Sequence, residues 1–158
     1  MHHEPSIQDR FAPHGLCFGC GPNSDGGLHL RSYVAPAGDI VVARWRPEPQ
    51  HSNAASPDAR GVLNGGVIGT LLDCHTAAAV IYESWKRDGR WPYLERPGWV
   101  TASYSVRFRR PVPLEATVDL RAWVEDMDER SARARGELLV DGEVCSTCES
   151  DWRPMPSA

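Results

Sequence analysis

Residues 64–85 constrain the fold more than any other part of this chain. Wound into a helix, Val67, Ile68, Leu71, Leu72, Ala77, Ala78, Ala79, Val80 and Ile81 leave almost no polar face. A helix that is apolar nearly all round belongs in an interior. A bilayer does not suit it, because Asp73, His75 and Glu83 fall within the same stretch and a spanning helix is predominantly apolar over its whole length. Other parts of the chain must therefore wrap around it. Asn64 is a strong N-cap for its start, and Arg87-Asp88-Gly89 closes its end.

The wrapper reads as strands. Leu28–Val34 alternates enough for a first strand, Ala37-Gly38-Asp39 turns the chain, and Ile40–Trp45 supplies a second. Residues 46–61 carry three prolines and many small polar residues, which marks a long loop of the kind often tied to function. After a Pro- and Trp-rich loop at 86–98, further strands are predicted at about 99–110, 114–125, 130–140 and 143–152. Asp141-Gly142 suits the type I′ turn of a hairpin. Two strands, a buried helix and a meander define an α+β protein, a curved antiparallel sheet around one long central helix.

A chain of 158 residues that is 41% hydrophobic and 24% charged is long enough for one domain with a real core. That domain is predicted to span 15–152, with loose tails at 1–14 and 153–158. A net charge of -4 argues against nucleic acid as a partner. The first residues lack the apolar region of a secretory signal, and membrane association is not expected. Five cysteines, an odd number, fit reduced thiols and a cytoplasmic setting.

Asp73 carries the candidate chemistry. At helical spacing its neighbours are Gly66, Gly69, Thr70, Thr76, Ala77 and Val80, small or apolar side chains. A carboxylate there is either a hydrogen-bonded structural group or a partly buried base or nucleophile with a raised pKa. Asn64-Gly65-Gly66 at the helix head gives a cap and two residues that allow close approach to backbone N–H groups. Each glycine costs roughly 1 kcal/mol in helix propensity, and an oxyanion hole is a use that would offset it. His75 lies about 200° around the helix from Asp73 and reads as a satisfied core or interface histidine.

Three motifs carry a resemblance. Asn64-Gly65-Gly66 followed by Asp73 resembles the His-Gly-Gly turn and helix carboxylate of hotdog-fold acyl-CoA thioesterases, of the phenylacetate-pathway and 4-hydroxybenzoyl-CoA types. The segment from Val100 to Pro111 resembles the family strand that ends in Arg-Pro. Cys17-Phe18-Gly19-Cys20-Gly21-Pro22-Asn23, with Gly27-Leu28-His29-Leu30, resembles the start of many bacterial members. The resemblance implies hydrolysis of an acyl-CoA thioester in a homodimer, or a dimer of dimers, with each active site at the subunit interface. Gly65 and Gly66 amides from one chain would polarise the carbonyl, and Asp73 from the other would act as general base or nucleophile. Thr101 would place the water, and Arg109 and Arg110 would hold the phosphates of coenzyme A. No cofactor or metal is implied. Two positions depart from the pattern: the usual His is Asn64, and Asp58 stands where some relatives have Asn in the substrate site. The alternative is a non-hydrolytic acyl-CoA or acyl-carrier binding module.

Cys17-x-x-Cys20 and Cys145-x-x-Cys148 have the spacing of a four-cysteine zinc site. Cys145 and Cys148 are predicted on one strand, where residues three apart face opposite sides, which weakens that reading; the family resemblance implies that the first pair lies in a structural loop. A zinc-stabilised scaffold is the third reading. Cys74 is read as a small core residue. Trp85, Trp91, Tyr93 and Trp99 would line an acyl pocket or pack between subunits.

Overall fold

A helix apolar on nearly every side needs cover from every direction. In the computed structural model, which describes residues 4–89 and 98–155, that cover is one strongly curved sheet. The elements are α1 (Ile7–Phe11), β1 (Ser32–Val34), β2 (Val41–Trp45), α2 (Gly65–Arg87), β3 (Trp99–Phe108), β4 (Val118–Met127), β5 (Ala132–Val140) and β6 (Glu143–Pro154). All six strands join one antiparallel sheet in the order β1-β2-β4-β5-β6-β3. Its curvature has a local cause. The ladders slip by one residue at Ala102, Glu125 and Cys145, and each bulge bends its strand and tightens the twist.

The long helix α2 lies against the concave face, as the sequence predicts. By length and composition it is apolar enough to cross a membrane, yet 67% of its most apolar window is buried inside the protein. Leu71, Leu72, Ala78, Ala79 and Val80 are nearly inaccessible and meet Val118, Leu120, Ala122, Ala134 and Leu138 from the sheet. Burying one of these leucines or valines stabilises the fold by about 1.5–3 kcal/mol. β5 comes closest to the helix at Gly136, where an added Cβ would lie 2.9 Å from Thr76 Cγ2. A larger residue there forces the Thr76 methyl to shift.

His75 is a satisfied core histidine. A carbonyl can only accept, so its Nε2–H donates to Val41 O at 3.0 Å, and Nδ1 accepts from the Ser32 hydroxyl at 2.9 Å. Ser32 in turn accepts from Gln8 Nε2 at 2.9 Å and gives its backbone N–H to Gln8 Oε1 at 2.7 Å. This buried chain of bonds ties α2, β1 and α1 together.

Three expectations are corrected. Part of the supposed N-terminal tail is α1, with a Ser6–Asp9 capping box and Ile7 only 1% exposed; at the other end, β6 continues to Pro154. The first strand is shorter than Leu28–Val34, because the Leu28 and Leu30 amides bond to Phe18 O and Gly19 O in the cysteine loop. Cys145 and Cys148 do not face opposite sides. Cys145 is the bulge residue, so both point into the core. The hairpin at Asp141-Gly142 forms as predicted, with both residues at positive φ. Trp91 and Tyr93 lie outside the described residues.

Candidate active site

Gly66, Thr70, Asp73 and Ala77, at i, i+4, i+7 and i+11, form the less buried stripe of α2. Small side chains there let β3 pass close by. A Cβ on Gly65 would meet the Phe108 ring at 3.4 Å, and one on Gly69 would meet the Tyr104 hydroxyl at 3.4 Å. The antiparallel run ends with Thr101, whose hydroxyl donates to Asp73 Oδ1 at 2.8 Å. Gly65 and Gly69, which flank the stripe, leave β3 room to run at van der Waals distance from α2.

Asp73 borders a cavity of about 390 Å³ whose walls are largely apolar. Thr101, Trp99, Ile7, Phe11 and Cys17 are among its lining residues. Burial raises the Asp73 carboxyl above the usual carboxylate range, the Thr101 bond opposes that rise, and the nearby Cys17 adds to it. A half-buried, hydrogen-bonded carboxylate in an apolar cavity can take a proton from water or attack an electrophile. Cys17 has the opposite tendency. A hydrogen bond with Cys74 and the backbone amides of Cys20 and Gly19 bring its thiol down to about 5, against a contrary effect of burial.

Gly65 lines a second cavity of about 370 Å³, together with Phe108, Arg109 and Arg110. Asn64 is a cap: its Oδ1 accepts from Gly66 N at 2.7 Å and from Val67 N at 3.3 Å. The Gly66 amide already serves the cap, and the Gly65 amide is the one that Asn64 leaves unbound. Arg110 pairs with Glu143 at 2.5 Å, and Arg109 is exposed at the cavity rim. Asp58 is exposed on its loop and lines neither cavity of the single chain. Gly65 and Asp73 are eight residues apart on α2, or ~12 Å along its axis, too far to act on one carbonyl group within a single chain.

The sequence reading did not find that α1 supplies a wall of the Asp73 cavity. The signal was there in Ser6-x-x-Asp9, a capping-box pattern, with Ile7 and Phe11 one turn apart.

One helix held in a six-stranded antiparallel sheet, with a carboxylate on the helix, defines a hotdog-fold protein. Solved structures share this architecture at low identity. Zebra fish thioesterase superfamily member 2 matches with TM-score 0.65 and 21% identity over 85% of this chain and 88% of that one. The PaaI protein of the E. coli phenylacetic acid degradation operon matches with TM-score 0.64 and 14% identity over 83% of each chain. A thioesterase superfamily protein from Shewanella loihica PV-4 matches with TM-score 0.59 and 24% identity, covering 80% and 91%. No curated protein matches the chain. The family model of the thioesterase superfamily matches residues 60–146, more than half of the sequence, and the chain belongs to that superfamily.

Proposed function

We propose that this protein hydrolyses an acyl-CoA thioester to the free acid and coenzyme A. The observation that carries the reading is the Asp73–Thr101 pair on the wall of an apolar cavity. Asp73 acts as general base on a water that Thr101 helps to hold, or attacks the thioester carbonyl itself. Coenzyme A is a tolerable leaving group, and its thiolate departs as the tetrahedral intermediate collapses. Membership of the thioesterase superfamily supports the reaction class.

The working unit in this proposal is a homodimer, alone or doubled. β3 is an edge strand of the sheet, with Val100, Tyr104 and Phe108 exposed along it. Such an edge offers unpaired backbone and apolar side chains to a second copy. A two-fold pairing brings Gly65 of one chain toward the partner's Asp73, which answers the ~12 Å gap within one chain. The Gly65 N–H then polarises the carbonyl, and Arg109 at the rim meets the phosphates of the nucleotide. A second reading, an acyl-CoA binding module without turnover, draws on Asn64, which is spent on capping and cannot titrate.

Thiol release from a panel of acyl-CoA thioesters separates the two. Hydrolysis predicts turnover of at least one panel member that disappears in Asp73→Ala. Tight binding of a thioester with no thiol released by the wild type contradicts hydrolysis and favours the module. Mixing Asp73→Ala chains with Gly65→Val chains tests the shared site. Random pairing restores roughly a quarter of wild-type activity if each site draws on two chains, and none if it does not.

A further inference from the structure

The cysteine loop and the helix meet in a way the proposed reaction does not use. Cys17, Cys20 and Cys74 place their three sulfurs within 4.8 Å of one another, and Cys17 and Cys74 are 3.7 Å apart. We infer that these three cysteines form a thiolate site for one zinc ion, pinning residues 17–21 to α2 beside Asp73.

The geometry is that of a ligand set. Tetrahedral zinc with Zn–S bonds of about 2.3 Å requires sulfurs about 3.8 Å apart, close to the Cys17–Cys74 separation. Cys17 and Cys20 belong to a tight loop in which Gly21 N bonds to Cys17 O at 2.7 Å and Arg31 Nη1 holds Cys20 O at 3.1 Å. Cys74 arrives from a different element, 57 residues away. Its approach depends on Gly19, where a Cβ would stand 2.4 Å from the Cys74 sulfur. Loop and helix are shaped to each other around sulfur.

A disulfide would join only two of the three sulfurs, whereas a soft divalent cation uses all of them. Cys145 and Cys148 lie in the core, and no other cysteine, histidine or carboxylate joins the trio among the described residues. Against the expectation of no metal, the third ligand is thus the helix cysteine and not the second Cys-x-x-Cys pair. Cys17, Cys20 and Cys74 all line the Asp73 cavity, so the fourth position falls to water or a solute there. Zinc entry converts the thiols to thiolates and releases their protons to solvent.

The test uses the full-length, tag-free chain, purified under reducing conditions and reconstituted with Zn²⁺. One zinc per chain is expected, falling below a tenth in Cys17→Ser and in Cys74→Ser and unchanged in Cys145→Ala. Cobalt substitution should give the sulfur-to-cobalt charge-transfer absorption of a tetrahedral thiolate site. In the unmutated protein, which needs no variant to fold, zinc should slow alkylation of Cys17 at least tenfold, and a chelator should restore it. No zinc retained, equal alkylation with and without it, or a Cys17–Cys74 disulfide in place of metal would each overturn the assignment. The outcome is independent of whether a thioester is hydrolysed.

Discussion

The two faces of α2 follow different rules. On the face against the sheet, Leu71, Leu72, His75, Thr76 and Ala79 are buried and every polar group among them is bonded. On the other, Gly66, Thr70, Asp73 and Ala77 are small or charged and only partly covered. The first face is built for stability and tolerates no change of volume. The second gives up contact area to bring a strand and a cavity up to a carboxylate. One helix therefore holds the core on one side and the candidate chemistry on the other, and substitutions should separate the two.

The largest stability loss is expected from the inner face. Leu72→Ala removes a fully buried side chain under Gly136 and should cost about 2–5 kcal/mol in denaturant unfolding. A loss near zero would mean that α2 is not the core helix. Acidification comes next. His75 is buried, and desolvation brings it from 6.5 to about 4 despite bonds that favour the charged form. Its folded-state value lies below the unfolded one, so its contribution is complete above pH 6.5 and is lost as pH falls toward 4. Unfolding curves should show roughly 3 kcal/mol disappearing across that window, because the unfolded chain takes up a proton there that the desolvated native ring does not. A flat profile between pH 6.5 and 4 would show that burial does not hold His75 neutral in the folded protein.

Gly136→Ala should destabilise by about 1–3 kcal/mol through overpacking. Thr76→Ser, which removes the Cγ2 methyl it would strike, should recover part of that loss. Additive effects in the double mutant would show that β5 and α2 are not in contact there. The smallest effect belongs to the outer face. Thr101→Val keeps the shape but deletes the bond to Asp73, worth about 1 kcal/mol. Thiol release should slow about fivefold, with the melting temperature lowered by about 2–4 °C.

The sequence made the inner face legible and the outer face only in part. Nine apolar residues around one helix leave a single solution, a buried rod needing a wrapper, and the strands that wrap it read correctly from their alternation and the Asp141-Gly142 turn. Asp73 stood out for the same reason, a charge among small apolar neighbours. What escaped depended on tertiary approach. The truncation of β1 follows from hydrogen bonds to a loop, the shared facing of Cys145 and Cys148 from a bulge, and the cysteine trio from Gly19 resting on Cys74. None of these is a local pattern. The α1 helix was legible in its capping box but hidden by the polar character of the residues before it.

The most direct test of the account is kcat and melting temperature measured together for Asp73→Asn. The isosteric amide keeps the Thr101 contact and removes the charge, so the account predicts a fall in kcat of about 10²–10⁴-fold with the melting temperature held or raised. Full activity, or a melting temperature that drops along with it, would make Asp73 a structural residue and leave the outer face of α2 without its chemistry.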